Sequence, residues 1–140
     1  MNTKRIILIC LIAITATCAI CIGLIGSTQN INKQGLIVEN VTVSEEGFLQ
    51  KFTADIIPDK DYDYLSAKIV YYDNNGVVLY SQTILWNMLD IHKGEHIKMQ
   101  GTSNSYDYLG KPATAKIFFF DTAVNQKENK ALYVYTVNYQ

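Results

Sequence analysis

Two short stretches of the sequence carry residue types that bind metals, and the first resembles a zinc site. His92, Glu95 and His96 match the H-x-x-E-H pattern of some zinc proteases. That chemistry needs a helix, which places both imidazoles on one face, whereas Gly94 and the alternating residues after it indicate a turn leading into a strand. In an extended chain, residues four positions apart lie about 13 Å from each other, too far to share one zinc ion. We therefore expect two solvated histidines and no zinc.

The second stretch has the spacing of a calcium-binding loop. Asp59, Asp61 and Asp63 reproduce its D-x-D-x-D opening, but the sixth position, normally glycine, is Tyr64, and the twelfth, normally glutamate, is Val70. A solvated acidic loop is the preferred interpretation, and weak calcium binding is the alternative. No G-x-S-x-G sequence and no glycine-rich phosphate loop occur elsewhere. We therefore expect no catalytic residues, cofactor or resident metal, with a hydrolase that uses paired carboxylates as an alternative.

Aromatic residues are the part of the sequence most open to a binding role. Tyr106 and Tyr108 repeat an earlier Tyr-Asp-Tyr-Leu sequence, and all ten tyrosines follow the apolar N-terminal segment. Phe118 and Phe120 alternate with other apolar residues, so the strand that contains them has apolar side chains on both faces. Either both faces are covered by the chain itself, or the two rings contact a partner. These four residues form the predicted partner surface, although tyrosine is also an ordinary strand residue.

One three-residue motif points to a modification. Asn40-Val41-Thr42 is an N-glycosylation sequon. Because such short matches also arise by chance, Asn40 is only a possible glycan acceptor.

An apolar segment near the N-terminus predicts on which side of a membrane these residues lie. Ile6–Ile25 has twenty residues without a charge, eleven of them Ile or Leu. As a helix it would be about 30 Å long, the thickness of a bilayer's hydrocarbon core. Lys4 and Arg5 precede it, and the next charge is Lys33. The positive-inside rule therefore predicts a cytoplasmic N-terminus and an extracytoplasmic remainder, in a single-pass protein of the cell membrane.

Processing of this segment has three possible outcomes. An uncleaved transmembrane anchor is preferred because of the segment's length, while a cleaved signal peptide and a lipid-modified cysteine are the alternatives. Cys10, Cys18 and Cys21 all lie within the segment, so the remainder has no cysteine. The exported part therefore has to be stabilised by its core, without disulfides.

Length and composition limit what the remainder can be. The chain has 140 residues, a net charge of −1, 18% charged and 49% hydrophobic residues. One ordinary domain fits this length, and a nucleic-acid binder would need a basic surface. We predict four parts: a cytoplasmic tail at 1–5, the anchor at 6–25, a polar linker at 26–35 and an extracytoplasmic domain at 36–140.

The pattern of the domain is that of β-strands. Phe48, Phe52, Ala54 and Ile56 share one parity, which predicts a half-buried strand with these four side chains inward. About seven such strands can be placed, at 36–43, 48–57, 65–72, 77–85, 95–100, 115–120 and 133–139. Asp73-Asn74-Asn75-Gly76 predicts a hairpin, and Ile84–Ile91 is ambiguous and could cap one end of the core. The fold class is all-β, a single antiparallel Ig-like sandwich after one transmembrane helix.

The region from Leu65 to Leu79 resembles the signature of FxLyD-type extracytoplasmic domains. Their Tyr-Asp before a glycine-containing turn matches Tyr72-Asp73, and their Pro-Gly-Glu before a later strand resembles Lys93-Gly94-Glu95. Ile69, Tyr71 and Lys93 depart from the family's usual Phe, Leu and Pro. The resemblance implies a small Ig-like sandwich on a membrane-anchored or lipid-anchored protein, and no substrate.

These observations predict a membrane-anchored extracytoplasmic binding or structural module of unknown ligand. It would contact lipid through Ile6–Ile25 and a protein or cell-envelope partner through its domain, with no nucleic acid and no cofactor. One alternative is an accessory subunit of a larger cell-envelope membrane complex. Another is a secreted or lipid-anchored protein, released or retained at the cell surface after processing.

Overall fold

The structure, a computed structural model, describes residues 35–104 and 110–139. This part of the chain forms seven β-strands and a single-turn 3-10 helix at Glu128–Lys130, which confirms the predicted all-β class. The strands are β1 (Leu36–Glu46), β2 (Leu49–Pro58), β3 (Tyr62–Tyr72), β4 (Val78–Ile91), β5 (Ile97–Asn104), β6 (Thr114–Phe120) and β7 (Tyr133–Asn138).

The strands form two antiparallel sheets, as expected for a β-sandwich. One sheet has the order β1-β2-β5 and the other β4-β3-β6-β7. In β2 and β5 buried residues alternate with more exposed ones, because successive side chains point to opposite faces of a sheet. Each of these strands therefore contributes every second side chain to the core.

Large apolar side chains fill the space between the sheets. Phe52, Ile56, Leu65, Ile69 and Met99 are completely inaccessible to solvent, and aromatic rings from β3, β6 and β7 join them. Burial of this set is the main source of stability in a domain without cysteine.

A second, smaller cluster lies on the outer face of the β4-β3-β6-β7 sheet. It contains Val70, Phe118, Phe120, Ala131 and Val134, and the chain between β6 and β7 contributes to it. The same connection is fixed to the sheet by a hydrogen bond from the Leu132 N–H to the Phe119 carbonyl oxygen, 2.8 Å. Both faces of β6 are therefore covered by this chain itself.

The segment that the sequence leaves ambiguous is part of a strand. Ile84–Ile91 does not cap the core; it is the second half of the 14-residue β4 and pairs with β3. Register shifts relative to β3 disturb the regular alternation of β4, and Leu89 on this strand is exposed while Leu85 is buried. This irregularity explains why the two-residue period of the sequence is unclear over this segment.

Strands β4 and β5 approach each other between the two sheets. The Gln82 side-chain amide donates to the Thr102 carbonyl oxygen at 3.0 Å. A Cβ on Gly101 would lie 2.6 Å from the Leu85 carbonyl oxygen, so only glycine fits at this position without a shift of the backbone.

The predicted hairpin at Asp73–Gly76 is confirmed between β3 and β4. The Asp73 carboxylate accepts hydrogen bonds from the Asn75 and Val77 N–H groups, both at 2.8 Å, and Gly76 has a φ of +77°. An aspartate that accepts from its own turn and a glycine in the left-handed region are typical of such tight connections.

The sandwich has two ends with different contents. The hairpin-tip end carries the β1–β2 turn at Gly47 and Phe48 and the β3–β4 turn at residues 73–77. The opposite end, here called the Gly35 end, carries Gly35 and the β2–β3 and β4–β5 loops; the Asp59 N–H donates to the Gly35 carbonyl oxygen at 3.2 Å. Residues preceding Gly35 therefore join the sandwich opposite the hairpin tips.

The predicted anchor, residues 6–25, and all of the predicted linker at 26–35 except Gly35 lie outside the described residues. Within the described part of the chain, no helix has the length and hydropathy needed to cross a bilayer.

Candidate functional site

Four apolar side chains are exposed at the hairpin-tip end. Phe48 is 77% and Leu49 42% accessible on the β1–β2 hairpin, and Val77 is 59% and Val78 52% accessible on the β3–β4 hairpin. Single exposed apolar residues are common on protein surfaces, but two adjacent pairs at the tips of two hairpins, at one end of a domain, are a candidate interaction surface.

The position of Phe48 differs from the sequence-based expectation. Alternation with Phe52 predicts an inward side chain, but β2 begins at Leu49, and Phe48 lies in the turn after Gly47. Gly47 has a φ of +64°, and this tight turn ends the strand periodicity. Gln50 occupies the inward position that continues the parity of Phe52, and it is only 2% exposed.

Gln50 is the acceptor of a buried hydrogen-bond network beneath the hairpin tips. Its Oε1 accepts from the Tyr71 hydroxyl at 3.1 Å and from the Tyr139 hydroxyl at 2.7 Å. Gln50 belongs to one sheet and Tyr71 to the other, so the network connects the two hairpins close to their tips. Such buried polar contacts restrict how two sheets can pack.

The network should contribute strongly to stability. Gln50→Leu removes the shared acceptor and leaves two tyrosine hydroxyls without it, so we expect the free energy of unfolding to fall by about 2–3 kcal/mol. Urea unfolding of the full-length protein in detergent, followed by the fluorescence of Trp86, measures this change. Gln100→Leu, on the exposed face of β5, is the matched control and should stay within about 0.5 kcal/mol of the wild type. Equal effects of the two substitutions would contradict the role of the network.

Tyr62, the first residue of β3, holds Gly35 against the sandwich. Its hydroxyl donates to the Gly35 carbonyl oxygen at 2.7 Å, and the Lys60 ammonium lies 5.0 Å from the centre of its ring. A Cβ on Gly35 would overlap this hydroxyl. Burial raises the pKa of Tyr62 to about 12, and the negative charges of Asp59 and Asp121 add to the increase.

This pKa predicts a loss of stability at alkaline pH. The pKa of Tyr62 is higher in the folded than in the unfolded chain, so its contribution is complete below about pH 10 and is lost as pH rises through about 12. Unfolding free energies measured from pH 9 to 12 should therefore decrease, and less steeply in Tyr62→Phe. Identical slopes for the two proteins would contradict this account. Burial also raises the pKa of Tyr72 and Tyr133, so the variant should retain part of the slope.

The histidine-containing stretch forms a turn, as its glycine indicates. The Glu95 carboxylate accepts a hydrogen bond from the His92 N–H at 3.0 Å, and the Glu95 N–H donates to the His92 carbonyl oxygen at 3.1 Å. His96 follows this turn directly before β5. The three residues thus lie on a turn and not on the helix that zinc-protease chemistry requires.

The acidic stretch at residues 59–63 has structural contacts. An Asp61 carboxylate oxygen accepts from the Lys93 N–H at 2.7 Å and so joins the β2–β3 and β4–β5 loops. In residues 35–104 and 110–139, no three His, Cys, Asp or Glu side chains are grouped in a way that could hold a metal ion.

Two residues of the predicted partner surface, Phe118 and Phe120, are buried in the structure. Phe118 and Phe120 are 4% and 1% exposed, and their rings stack with centres 6.4 Å apart beneath the β6–β7 connection. Of the two alternatives open for this strand, coverage of both faces is the one observed, so these rings are not an exposed surface. Tyr106 and Tyr108 lie outside the described residues.

The possible glycan acceptor is exposed on a β-bulge of β1. Asn40 has a φ of +50°, and the pairing with β2 shifts register between Glu39 and Thr42. The side-chain amide of Asn40 donates to the Asp55 carboxylate at 2.8 Å. A glycan on this nitrogen would compete with that hydrogen bond.

Sequence reasoning missed the hairpin-tip surface, although two signals for it are present. Gly47 immediately before Phe48 is a turn signal that should have ended the strand periodicity. Gln50, a polar residue at an inward position, indicated that this end of the strand differs from the apolar core.

Comparisons with known proteins place no family name on the chain. No protein-family model matches it, and no curated protein does. Among solved structures, chicken MD-1, crystallised in complex with lipid IVa, is similar at 14% sequence identity and a TM-score of 0.37. The match covers 75% of this chain and 91% of that one. A similarity of this size carries no conclusion about function.

Proposed function

We propose that this protein is a membrane-tethered extracytoplasmic β-sandwich that binds a partner at its hairpin-tip end. The observation that carries the proposal is that the tether and the exposed apolar residues lie at opposite ends of the sandwich. The chain that includes Ile6–Ile25 joins the domain at the Gly35 end, while the exposed apolar pairs lie at the opposite end. A tether at one end leaves the other end free to meet a partner.

We also propose that the sandwich is Ig-like and related to the FxLyD-type domains. In support, the order β1-β2-β5 and β4-β3-β6-β7 keeps the first, second and fifth strands together and the third, sixth and seventh together, as in Ig domains. Tyr72-Asp73, which carries the resemblance, lies at the end of β3, where Asp73 organises the following turn.

Binding is the proposed activity in preference to catalysis. His92 and Glu95, the residues with the clearest catalytic spacing, lie in one turn, where the carboxylate and the N–H of Glu95 both bond to the backbone of His92. Asp61 is engaged by the neighbouring loop. A nucleophile or general base would need a side-chain partner that orients and activates it, and these contacts do not supply one.

The tether is tested by fractionating cells that express the full chain with an epitope after Gln140. We expect the protein to stay in the membrane pellet after alkaline carbonate extraction and the epitope to be accessible from outside intact cells. A variant with Ile12→Arg and Ile14→Arg in the apolar segment should lose membrane retention. Recovery of the unmodified chain in the soluble fraction, or an epitope accessible only after lysis, would refute the tether.

A further inference from the structure

The turn between β3 and β4 contains an asparagine directly followed by a glycine, a pair prone to spontaneous deamidation. Asn75-Gly76 is the only such pair in the sequence. Because glycine has no side chain to hinder the approach, its backbone nitrogen can attack the side-chain amide of the residue before it. Both residues are exposed, so solvent reaches the reacting atoms. The pair therefore has what deamidation requires.

Deamidation at Asn75 would proceed in two steps, with water as the only co-reactant. In the first step the Gly76 nitrogen loses its proton to a base in the solvent and bonds to Asn75 Cγ. The Cγ–Nδ2 bond breaks, and the amide takes up a proton from water and leaves as ammonia. In the second step water opens the cyclic imide at either carbonyl. The product is an aspartate at position 75, or an isoaspartate whose backbone runs through the former side chain.

The hydrogen bonds of Asp73 oppose the first of these steps. The Gly76 N–H donates to the Asp73 carbonyl oxygen at 3.1 Å. The N–H groups on either side of it, those of Asn75 and Val77, both donate to Asp73 Oδ1 at 2.8 Å. The Gly76 nitrogen can lose its proton and approach Asn75 Cγ only after its own hydrogen bond has broken. The closed turn therefore disfavours attack.

Little else holds this turn closed. Residues 74–78 are all exposed, and a Cβ on Gly76 would meet no atom within 4 Å. The remaining backbone contact, from the Asp73 N–H to the Val77 carbonyl oxygen at 2.9 Å, also belongs to Asp73. A segment without buried side chains opens locally at a much smaller free energy than the whole domain. How often the turn opens therefore depends on Asp73.

We propose that Asn75 is a deamidation site, and that Asp73 sets its rate by keeping Asn75-Gly76 unreactive while the turn is closed. The site is independent of the proposed tether and of any partner. It needs no ligand, since both reacting groups belong to the turn itself.

Peptide mapping of the full-length protein by mass spectrometry tests the proposal. Native samples in detergent and samples unfolded in urea are incubated side by side at mildly alkaline pH. Fragment spectra give the rate at which the amide at position 75 becomes an acid. In the wild type we expect unfolding to raise this rate by at least about tenfold. Asn87, which precedes Met88, is the internal control and should react far more slowly in both samples, because a side chain follows it.

Substitutions at position 73 test the role of the hydrogen bonds. Asp73→Ala removes the shared acceptor and should raise the native rate about tenfold, whereas Asp73→Asn, whose Oδ1 can accept the same two bonds, should stay within about threefold of the wild type. Asp63→Ala removes an exposed aspartate near the other end of β3 and should leave the rate unchanged. In urea all of these proteins should react equally fast. Urea unfolding curves followed by Trp86 fluorescence show that each variant is folded in its native sample.

Four outcomes would overturn the proposal. They are equal native rates for the wild type and Asp73→Ala, equal rates for the wild type in native and unfolded samples, an Asp73→Asn rate as high as that of Asp73→Ala, and no deamidation of Asn75 in urea.

Discussion

Replacing Phe52 with Ala is expected to lower the free energy of unfolding by about 3–5 kcal/mol, whereas Phe48→Ala should change it by less than about 0.5 kcal/mol. Both residues are phenylalanines on the same parity, four positions apart. Phe52 is 0% and Phe48 77% exposed, so only the first substitution leaves a cavity in the core. Urea unfolding of the full-length variants in detergent, followed by Trp86 fluorescence, gives both values.

The two substitutions distinguish the structure from a prediction based on residue alternation alone. Alternation alone predicts similar losses for the two variants, because it places both rings inward. A loss above about 2 kcal/mol for Phe48→Ala would show that its ring is buried, and the hairpin-tip surface would lose its principal residue.

Gly101→Val is the second substitution with a large expected effect, a loss of about 3 kcal/mol in the free energy of unfolding. A Cβ at this position would lie 2.6 Å from the Leu85 carbonyl oxygen and 2.8 Å from the Leu85 Cγ. The side chain of Leu85 could move, but its carbonyl belongs to β4, so the two sheets would have to separate. Differential scanning calorimetry or urea unfolding measures the loss.

Thr102→Val is the matched control for Gly101→Val. Thr102 follows Gly101 on β5 but faces solvent, and the hydrogen bond from Gln82 goes to its backbone carbonyl, which the substitution retains. We expect a change within about 0.5 kcal/mol. If Gly101→Val were equally mild, the close approach of β4 and β5 would not exist in solution.

The regular strands of this fold could be predicted from the sequence because each has one buried and one more exposed face. In β5, the alternation from Ile97 through Met99 continues to Gly101 and Ser103 as the structure shows it. The Asp73–Gly76 turn was also predictable, since aspartate and glycine supply the local contacts and backbone freedom that a tight hairpin requires.

Tertiary contacts account for what the sequence could not predict. Phe118 and Phe120 are buried because residues 121–132 fold back over the outer face of their sheet, a path that no local pattern encodes. Ile84–Ile91 was ambiguous because β4 pairs irregularly with β3. Gln50 is buried because two tyrosine hydroxyls reach it, from Tyr71 in the opposite sheet and from Tyr139 directly after β7, which is 89 residues away in sequence.

The orientation of the domain on the membrane is the claim on which the proposed function depends. Energy transfer to an acceptor dye in the lipid headgroups measures it in the full-length protein. The three native cysteines are replaced by Ala, and a donor dye is attached to Phe48→Cys in one protein and to Lys93→Cys in another. The two positions mark opposite ends of strands about 30 Å long. We predict strong transfer from position 93, near Gly35, and weak transfer from position 48; equal transfer, or the reverse order, would contradict the account.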